Sequence, residues 1–383
     1  MITWRNGTVS GTRREWPGAV ELDVSVDGAS AEAEEEQVRA LAYPALTGRP
    51  RPGDRVLVNT TALDLGLGTG GYALVVALPD RLPPDPELAG HLIKARYSPL
   101  QTCVLGADEQ GSPHHDVLRD ADDIGGMPVV VADLHSALPA VLAGIYASER
   151  SGDDRPPADG QLQRAEPRVV YVMQDGGALP AWFSRTCAVL REAGWLAATV
   201  TTGQSFGGDL ETVTVHTGLL AARHVLGADI AVIAQGPGNL GTGTRWGSSG
   251  VAAGDAVNAT AALGGRPVAS LRISDADPRM RHRGVSHHSL TAYGRVALAP
   301  ADVVVPVLAG EFGAQVTAEA APLGGRHDLV TVPADGLEAA LRACPARLST
   351  MGRGLDEDLA YFLAAAAAGR HASRLLRDVP SSA

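Results

Sequence analysis

Lysine is almost missing from this chain. Of its 32 basic residues only Lys94 is a lysine, and the rest are arginine. Such a bias suggests a GC-rich genome in which surface lysines drift to arginine. A lysine that persists is then a candidate for a compact, titratable amine, which arginine cannot replace; chance retention is the alternative. Cysteine is scarce as well. Cys103, Cys187 and Cys344 are scattered with no CxxC pair, which excludes a zinc ribbon and argues against a disulfide framework. A reducing cytosol is the simplest setting. Long apolar runs are lacking: the longest, around residues 359–369, is mostly alanine and about half the roughly 20 residues a membrane span needs. The opening Met1-Ile2-Thr3-Trp4-Arg5-Asn6 does not resemble a signal peptide. Basic charge is in deficit, with 43 acidic residues and a net charge of −11, which disfavours a general nucleic-acid binder. The expectation is a cytoplasmic protein that engages neither nucleic acid nor membrane.

What is present is a globular balance, 45% hydrophobic and 20% charged, over 383 residues, a length that favours two domains. The first eighty residues read as β structure. Gly18-Ala19-Val20-Glu21-Leu22-Asp23-Val24 alternates with period two, Arg51-Pro52-Gly53-Asp54 is a turn, and Arg55 to Asn59 and Tyr72 to Ala77 are strand-like. Short strands joined by glycine turns suggest a small barrel. Beyond the proline-rich break at 82–86, residues 87–96 fit a short helix that sets His91 and Lys94 on one face. Apolar strand-like runs then alternate with helical stretches. The strands are 102–105, 128–132, 168–173, 196–201, 229–234, 267–273, 303–307 and 328–332; the main helices are 180–193, 210–226 and 248–263. This pattern predicts a mostly parallel sheet covered on both faces. Residues 151–167 read as a surface loop or linker, and 357–377 as a C-terminal helix, alanine-rich in the middle with arginines at its end. The expected fold is thus α/β: a small β-barrel domain at 1–82, a three-layer, Rossmann-like α/β domain at 83–345, and a C-terminal helix and tail at 346–383.

In open parallel sheets ligands bind beyond the carboxyl ends of the strands, and the unusual polar residues fall there. Asp133-Leu134-His135-Ser136, Gln174-Asp175-Gly176-Gly177, residues 202–209 ending in Asp209, residues 235–244, and Ser274-Asp275-Ala276-Asp277 each follow a predicted strand. Gly236-x-Gly238-x-x-Gly241 matches the dinucleotide fingerprint literally. But Pro237 lacks an N–H, the helix starts only after a further Thr242-Gly243-Thr244-Arg245-Trp246-Gly247 run, and no acid stands at a second strand end about twenty residues on, Asp275 being nearly forty away. NAD is therefore disfavoured, leaving a phosphate or carboxylate cradle with Thr242 and Thr244, or a structural turn.

Residues 278–289 are the least ordinary stretch. If extended, Arg279, Arg281 and Arg283 point one way and can clamp an anion bidentately. A solvated loop, or ion pairs with Asp275 and Asp277, is the alternative. Ser286 looks like an N-cap, with His287 and His288 in the first helical turn. Neutral imidazoles there suit proton abstraction or metal ligation. With Asp133, His135, Asp175 or Asp209 they could complete a divalent-metal site, although no spacing rule joins such distant segments. The chain has no G-x-S-x-G elbow, P-loop or H-E-x-x-H motif.

Residues 90–101 (Gly-His-Leu-Ile-Lys-Ala-Arg-Tyr-Ser-Pro-Leu-Gln), 133–136, 203–211, 236–246 and 282–289 together resemble the bacterial domain-of-unknown-function family 3866. The resemblance runs over nearly the whole chain and implies a bacterial cytosolic protein. It brings no activity or catalytic residue with it. Two functional expectations follow from the residues themselves. One is a hydrolase-type enzyme acting on a small anionic, phosphorylated or carboxylated metabolite. In it Gly236, Gly238 and Gly241 are backbone donors, Arg279, Arg281 and Arg283 hold the anion, His287 or His288 is general base or metal ligand, and Lys94 is an electrostatic stabiliser. The other is a non-catalytic ligand-binding regulator or assembly factor. A homo-oligomer is compatible with either; the alternative to both is a purely structural role, with the histidines and glycines serving packing and turns.

Overall fold

The computed structural model describes residues 2–28, 36–66, 70–87, 89–150 and 166–377. These form two compact units, 1–105 and 106–383. The 151–167 segment expected as a linker falls almost wholly outside the described residues.

In the first unit, β1 (Trp4–Trp16), β2 (Ala19–Val26), β3 (Glu36–Ala42), β4 (Arg55–Asn59) and β5 (Ala73–Ala77) close into a barrel in the order β1-β2-β3-β5-β4. Its two short helices are α1 (Pro44–Thr47) and α2 (Thr61–Asp64). Closure removes the exposed strand edges that a five-stranded sheet would otherwise present. The interior is small and aliphatic, filled by Val9, Leu22, Val24, Ala40, Val56, Val58 and Ala73. Gly7 lets β1 sink onto β2, because a Cβ there would lie 2.7 Å from the Ser25 carbonyl oxygen.

The helix expected over 87–96 is not formed. Instead β6 (Leu92–Lys94) pairs antiparallel with β7 (Thr102–Val104). Gly90 seats against the backbone of Val104 and Leu105, where any Cβ would collide. Positive φ at Ala95 and Tyr97 turns the chain back. His91 and Lys94 therefore do not share a helix face.

The second unit opens with α3 (His115–Leu118) and then builds one sheet from β8 (Pro128–Val131), β9 (Val169–Gln174), β10 (Ala198–Thr201), β11 (Leu210–Glu211), β12 (Ile230–Gln235), β13 (Arg266–Ser270), β16 (Asp302–Val307) and β17 (Asp328–Pro333). All eight strands are parallel, in the order β11-β10-β9-β12-β8-β13-β16-β17. Between β13 and β16 lies a two-stranded ribbon, β14 (Ile273–Ser274) with β15 (Gly284–Val285); β18 (Ser349–Thr350) pairs with β19 (Arg353–Gly354).

Side chains alternate across the sheet as strand geometry demands. Val130, Tyr171, Met173, Val232 and Val268 face one core, shared with α4 (Leu138–Arg150), α5 (Arg185–Glu192), α10 (Leu337–Arg342) and the C-terminal α11 (Leu359–Arg377). Val129, Val131, Val170, Val172 and Ala269 face the other, shared with α6 (Val215–Leu220), α7 (Ala252–Ala262) and α9 (Gly310–Ala320). The 210–226 stretch expected as one helix begins instead as edge strand β11. Thr214 starts α6 by accepting a hydrogen bond from the Thr217 N–H. No helix of the described residues is long and apolar enough to cross a membrane.

Candidate functional site

β8 and β13 are neighbours whose outgoing connections leave in opposite directions, to β9 on one side and to β16 on the other. Such a switch point, at the carboxyl ends of parallel strands, is where α/β sheets hold ligands. Just past β13, Arg272 is buried and the chain enters the β14–β15 ribbon. The loop between those strands is shaped by Asp277, whose carboxylate accepts hydrogen bonds from the Arg279 backbone N–H (3.0 Å), Nε (2.9 Å) and Nη2 (2.8 Å). Ser274 Oγ accepts from the Asp277 N–H (2.9 Å) and donates to Asp358 (2.8 Å). Arg353 bridges Asp277 and Asp358 from the far side. A 3₁₀ turn follows at Met280–His282.

That turn corrects the extended reading of residues 279–283. Period two is lost, so the three arginines do not line one side. Arg279 is held by Asp277, whereas Arg281 and Arg283 are exposed. The turn instead swings His282 inward. Ser286 caps α8 (His287–Thr291) by accepting from the His288 N–H, and its Oγ also meets His282 Nδ1 at 2.8 Å. The result is a cluster of His282, His287 and His288. One ring nitrogen from each lies within 4.8 Å of the other two, and it is the only such group of three or more His, Cys, Asp or Glu residues among the described residues. Ring centroids are 5.1 Å apart for His282 with either neighbour and 4.0 Å apart for His287 with His288. His287 Nε2 and His288 Nδ1 are buried without a hydrogen-bond partner, as is Arg272 Nη2, which approaches Asp277 Oδ2 only to 3.7 Å.

The electrostatics favour neutral rings. Burial, with Arg272 and Arg279 behind it, pushes His282 down to about 3. Burial, then His287 and Arg272, pushes His288 down to about 4. Burial, then Arg281, Arg272, Arg245 and Arg279, lowers His287. Buried, neutral imidazoles with unused lone pairs can take a proton from a bound molecule or ligate a soft-to-borderline metal ion.

The other sequence candidates are each held within their own segment of the fold. Asp133, His135 and Asp175 do not converge into a shared ligand set among the described residues: Asp133 and His135 follow β8, and Asp175 follows β9. Asp133 is buried past β8, its carboxyl pushed up by burial and pulled back by Arg272. His135 contacts Tyr171 Oη (3.0 Å) through Nδ1 and Ser184 Oγ (2.8 Å) through Nε2. Asp175 accepts from the Gln204 N–H. Asp209 accepts from the Thr199 N–H and pairs with Arg191. Lys94 is buried on β6 of the first unit.

The glycine motif serves chain packing. Gly236 donates its N–H to the Gln174 carbonyl oxygen (3.0 Å), and the Ala178 N–H donates to the Pro237 carbonyl oxygen (2.8 Å). A Cβ on Gly177 would lie 2.1 Å from the Gly236 carbonyl oxygen. The loops after β9 and β12 thus interlock. Gly238 has φ +80° with open space around it. Gly241 bridges to Ser248, and Thr242 and Thr244 close that turn through the Gly247 N–H and the 3.1 Å contact between their hydroxyls. Its tip reaches the histidine loop, for a Cβ on Gly243 would sit 3.5 Å from Arg281 Nη2.

Sequence reasoning missed two members of the site. His282 was masked by the strand reading, which pointed it away from its arginine neighbours. Arg272 was masked as the interior of a strand; its one signal was a charge within an apolar run.

Comparison with protein-family models matches residues 39–369 to a protein of unknown function, DUF3866. The chain belongs to this family. The match spans the barrel from β3 onward, the whole parallel sheet and most of α11, so the histidine loop lies inside the family region. No curated protein matches the chain.

Proposed function

We propose that the carboxyl edge around β8 and β13 binds a small phosphorylated or carboxylated metabolite and hydrolyses it, with Arg272 and Arg281 holding the anion and His287 or His288 as general base or metal ligand. One observation carries this reading: His287 Nε2, His288 Nδ1 and Arg272 Nη2 are all buried without a hydrogen-bond partner in the same short segment. Unmet buried donors and acceptors are costly and rare, and a ligand that supplies partners removes the cost. An anion suits the guanidiniums, while a neutral imidazole suits proton abstraction from water. The proposal sets the protein in a bacterial cytoplasm, a setting consistent with three free cysteines.

The test is a thermal-shift screen with inorganic phosphate, sugar phosphates, nucleotides and small carboxylates, on the wild type and on Arg281→Ala, followed by turnover assays on the hits. An anion that raises Tm, with the rise reduced in Arg281→Ala and turnover at least 100-fold lower in His287→Ala, supports the enzyme. A shift without turnover supports the ligand-binding regulator or assembly factor instead. No shift with any anion at millimolar concentration overturns the anion site.

A further inference from the structure

We infer that His282, His287 and His288 form a three-histidine site for one borderline divalent transition-metal ion, zinc foremost, with a fourth position left for water or an anion. The inference gives the chemistry of the edge just described and so rests on that edge being the working surface. Three imidazoles without a carboxylate among them select zinc, cobalt(II), nickel(II) or copper(II) over magnesium or calcium, which prefer oxygen. Three protein ligands with an open fourth position are also the pattern of a reactive rather than a structural zinc site.

The supporting contact is in place. A ligating histidine usually gives its other ring nitrogen to a hydrogen-bond partner that fixes its orientation. His282 Nδ1 meets Ser286 Oγ at 2.8 Å, which leaves Nε2 to ligate. Ser286 is held in turn by the backbone N–H of His288, so one hydroxyl orients the His282 ring and fixes the start of the helix that carries His287 and His288. His287 Nε2 and His288 Nδ1 have no partner to give up. A metal at about 2.0–2.1 Å from each nitrogen in a tetrahedral set spaces the nitrogens by about 3.3 Å. One ring nitrogen of each residue lies within 4.8 Å of the other two, so the set has to contract by about 1.5 Å at most to reach that spacing.

Charge decides the fourth ligand. Arg272 lies close enough for its charge to act on all three rings, and Arg279 is neutralised by Asp277. A bare dication beside the Arg272 guanidinium, which shares Asp277 with Arg279 and Arg353, is repelled, whereas a metal-bound hydroxide, phosphate or carboxylate restores balance and gives Arg272 Nη2 its missing acceptor. Metal and anion are then expected to bind cooperatively.

The experiment is equilibrium dialysis of chelator-treated full-length protein against zinc, paired with the visible absorption of cobalt(II). One equivalent per chain is expected. His282→Ala and His288→Ala are expected to weaken binding at least 100-fold, and Ser286→Ala, which keeps every ligand, by about 10- to 100-fold. His135→Gln should leave stoichiometry and affinity unchanged. X-ray absorption at the zinc edge of the wild type needs no variant and should show nitrogen scatterers at about 2.0–2.1 Å with an imidazole signature. Absence of binding at millimolar zinc, sulfur scatterers, or affinity indifferent to the histidine substitutions overturns the inference. Repeating the phosphate thermal shift on metal-free protein separates the two readings. A shift without metal binding keeps the anion site and removes the metal, and metal binding without any anion shift does the reverse.

Discussion

Asp277 is fully buried, and three guanidiniums converge on it from different segments: Arg272, Arg279 and Arg353. Its carboxyl is held far below the usual range: burial opposes ionisation, but the bonds and charge of Arg279 and the charge of Arg353 outweigh it. Removing one partner of a buried ion pair leaves uncompensated charge behind. Asp277→Ala is therefore expected to cost about 3–5 kcal/mol, read as a fall in the urea midpoint, and to release the loop that carries His282. Arg279→Ala, at a side chain about a third exposed, should cost no more than about 1 kcal/mol; equal losses in the two variants would refute this account. The same residue explains what was legible here and what was not. Ser286 as an N-cap with His287 and His288 behind it can be read directly, because capping depends on neighbours in sequence. The inward turn of His282 cannot, because it follows from Asp277 folding back on Arg279 and being gripped by Arg353, 76 residues away.

Between elements, α4 and α11 approach one another closely. A Cβ on Gly144 would lie 1.8 Å from the Ala366 carbonyl oxygen, and one on Gly369 would lie 1.9 Å from that of Val141. Each glycine lets the other helix's backbone sit where a side chain would stand. The alanines from 364 to 368 are all buried, so the two helices meet almost backbone to backbone over the sheet. Close-packed interiors tolerate little added volume. Gly144→Ala and Gly369→Ala should each cost about 3 kcal/mol or more by thermal unfolding, at the upper end of overpacking losses. Gly325→Ala, with nothing near its Cβ, serves as control and should stay within about 0.5 kcal/mol; a Gly144→Ala as mild as that control would refute the contact. The alanine-rich run announces a helix but not its burial, since alanine suits either environment. Arg370 shows the limit: it reads as a solvated charge, yet it is buried and donates to the carbonyl oxygens of Pro333 and Asp335. Strand spacing carried the parallel sheet, whereas the order of strands was beyond reach. β8 pairs with β12 and β13, whose partners in register stand about a hundred residues or more away, and nothing local specifies that choice.

Across the second unit as a whole, the buried histidine His135 ties stability to pH. Its partners fix its state: Tyr171 Oη donates to the Gln235 carbonyl oxygen (2.8 Å), so it accepts from His135 Nδ1–H, and Nε2 then accepts from Ser184 Oγ–H. This arrangement is complete only for a neutral ring. Burial pushes the imidazole down to about 4, against about 6.5 in an unfolded chain. Between those values the unfolded chain binds a proton that the folded one refuses, so stability rises with pH. His135's contribution is whole above pH 6.5 and is lost as pH falls towards 4, by about 1.4 kcal/mol per unit. Urea unfolding at pH 7 and pH 5 measures it. The wild type should lose about 2 kcal/mol more than His135→Gln over that interval, even though the variant starts less stable because Ser184 and Tyr171 have lost their partner. The difference between the two slopes is the decisive quantity, since every other titrating group is common to both chains. Parallel slopes would mean that His135 is protonated in the folded state, and that the Tyr171–His135–Ser184 chain does not hold the ring neutral.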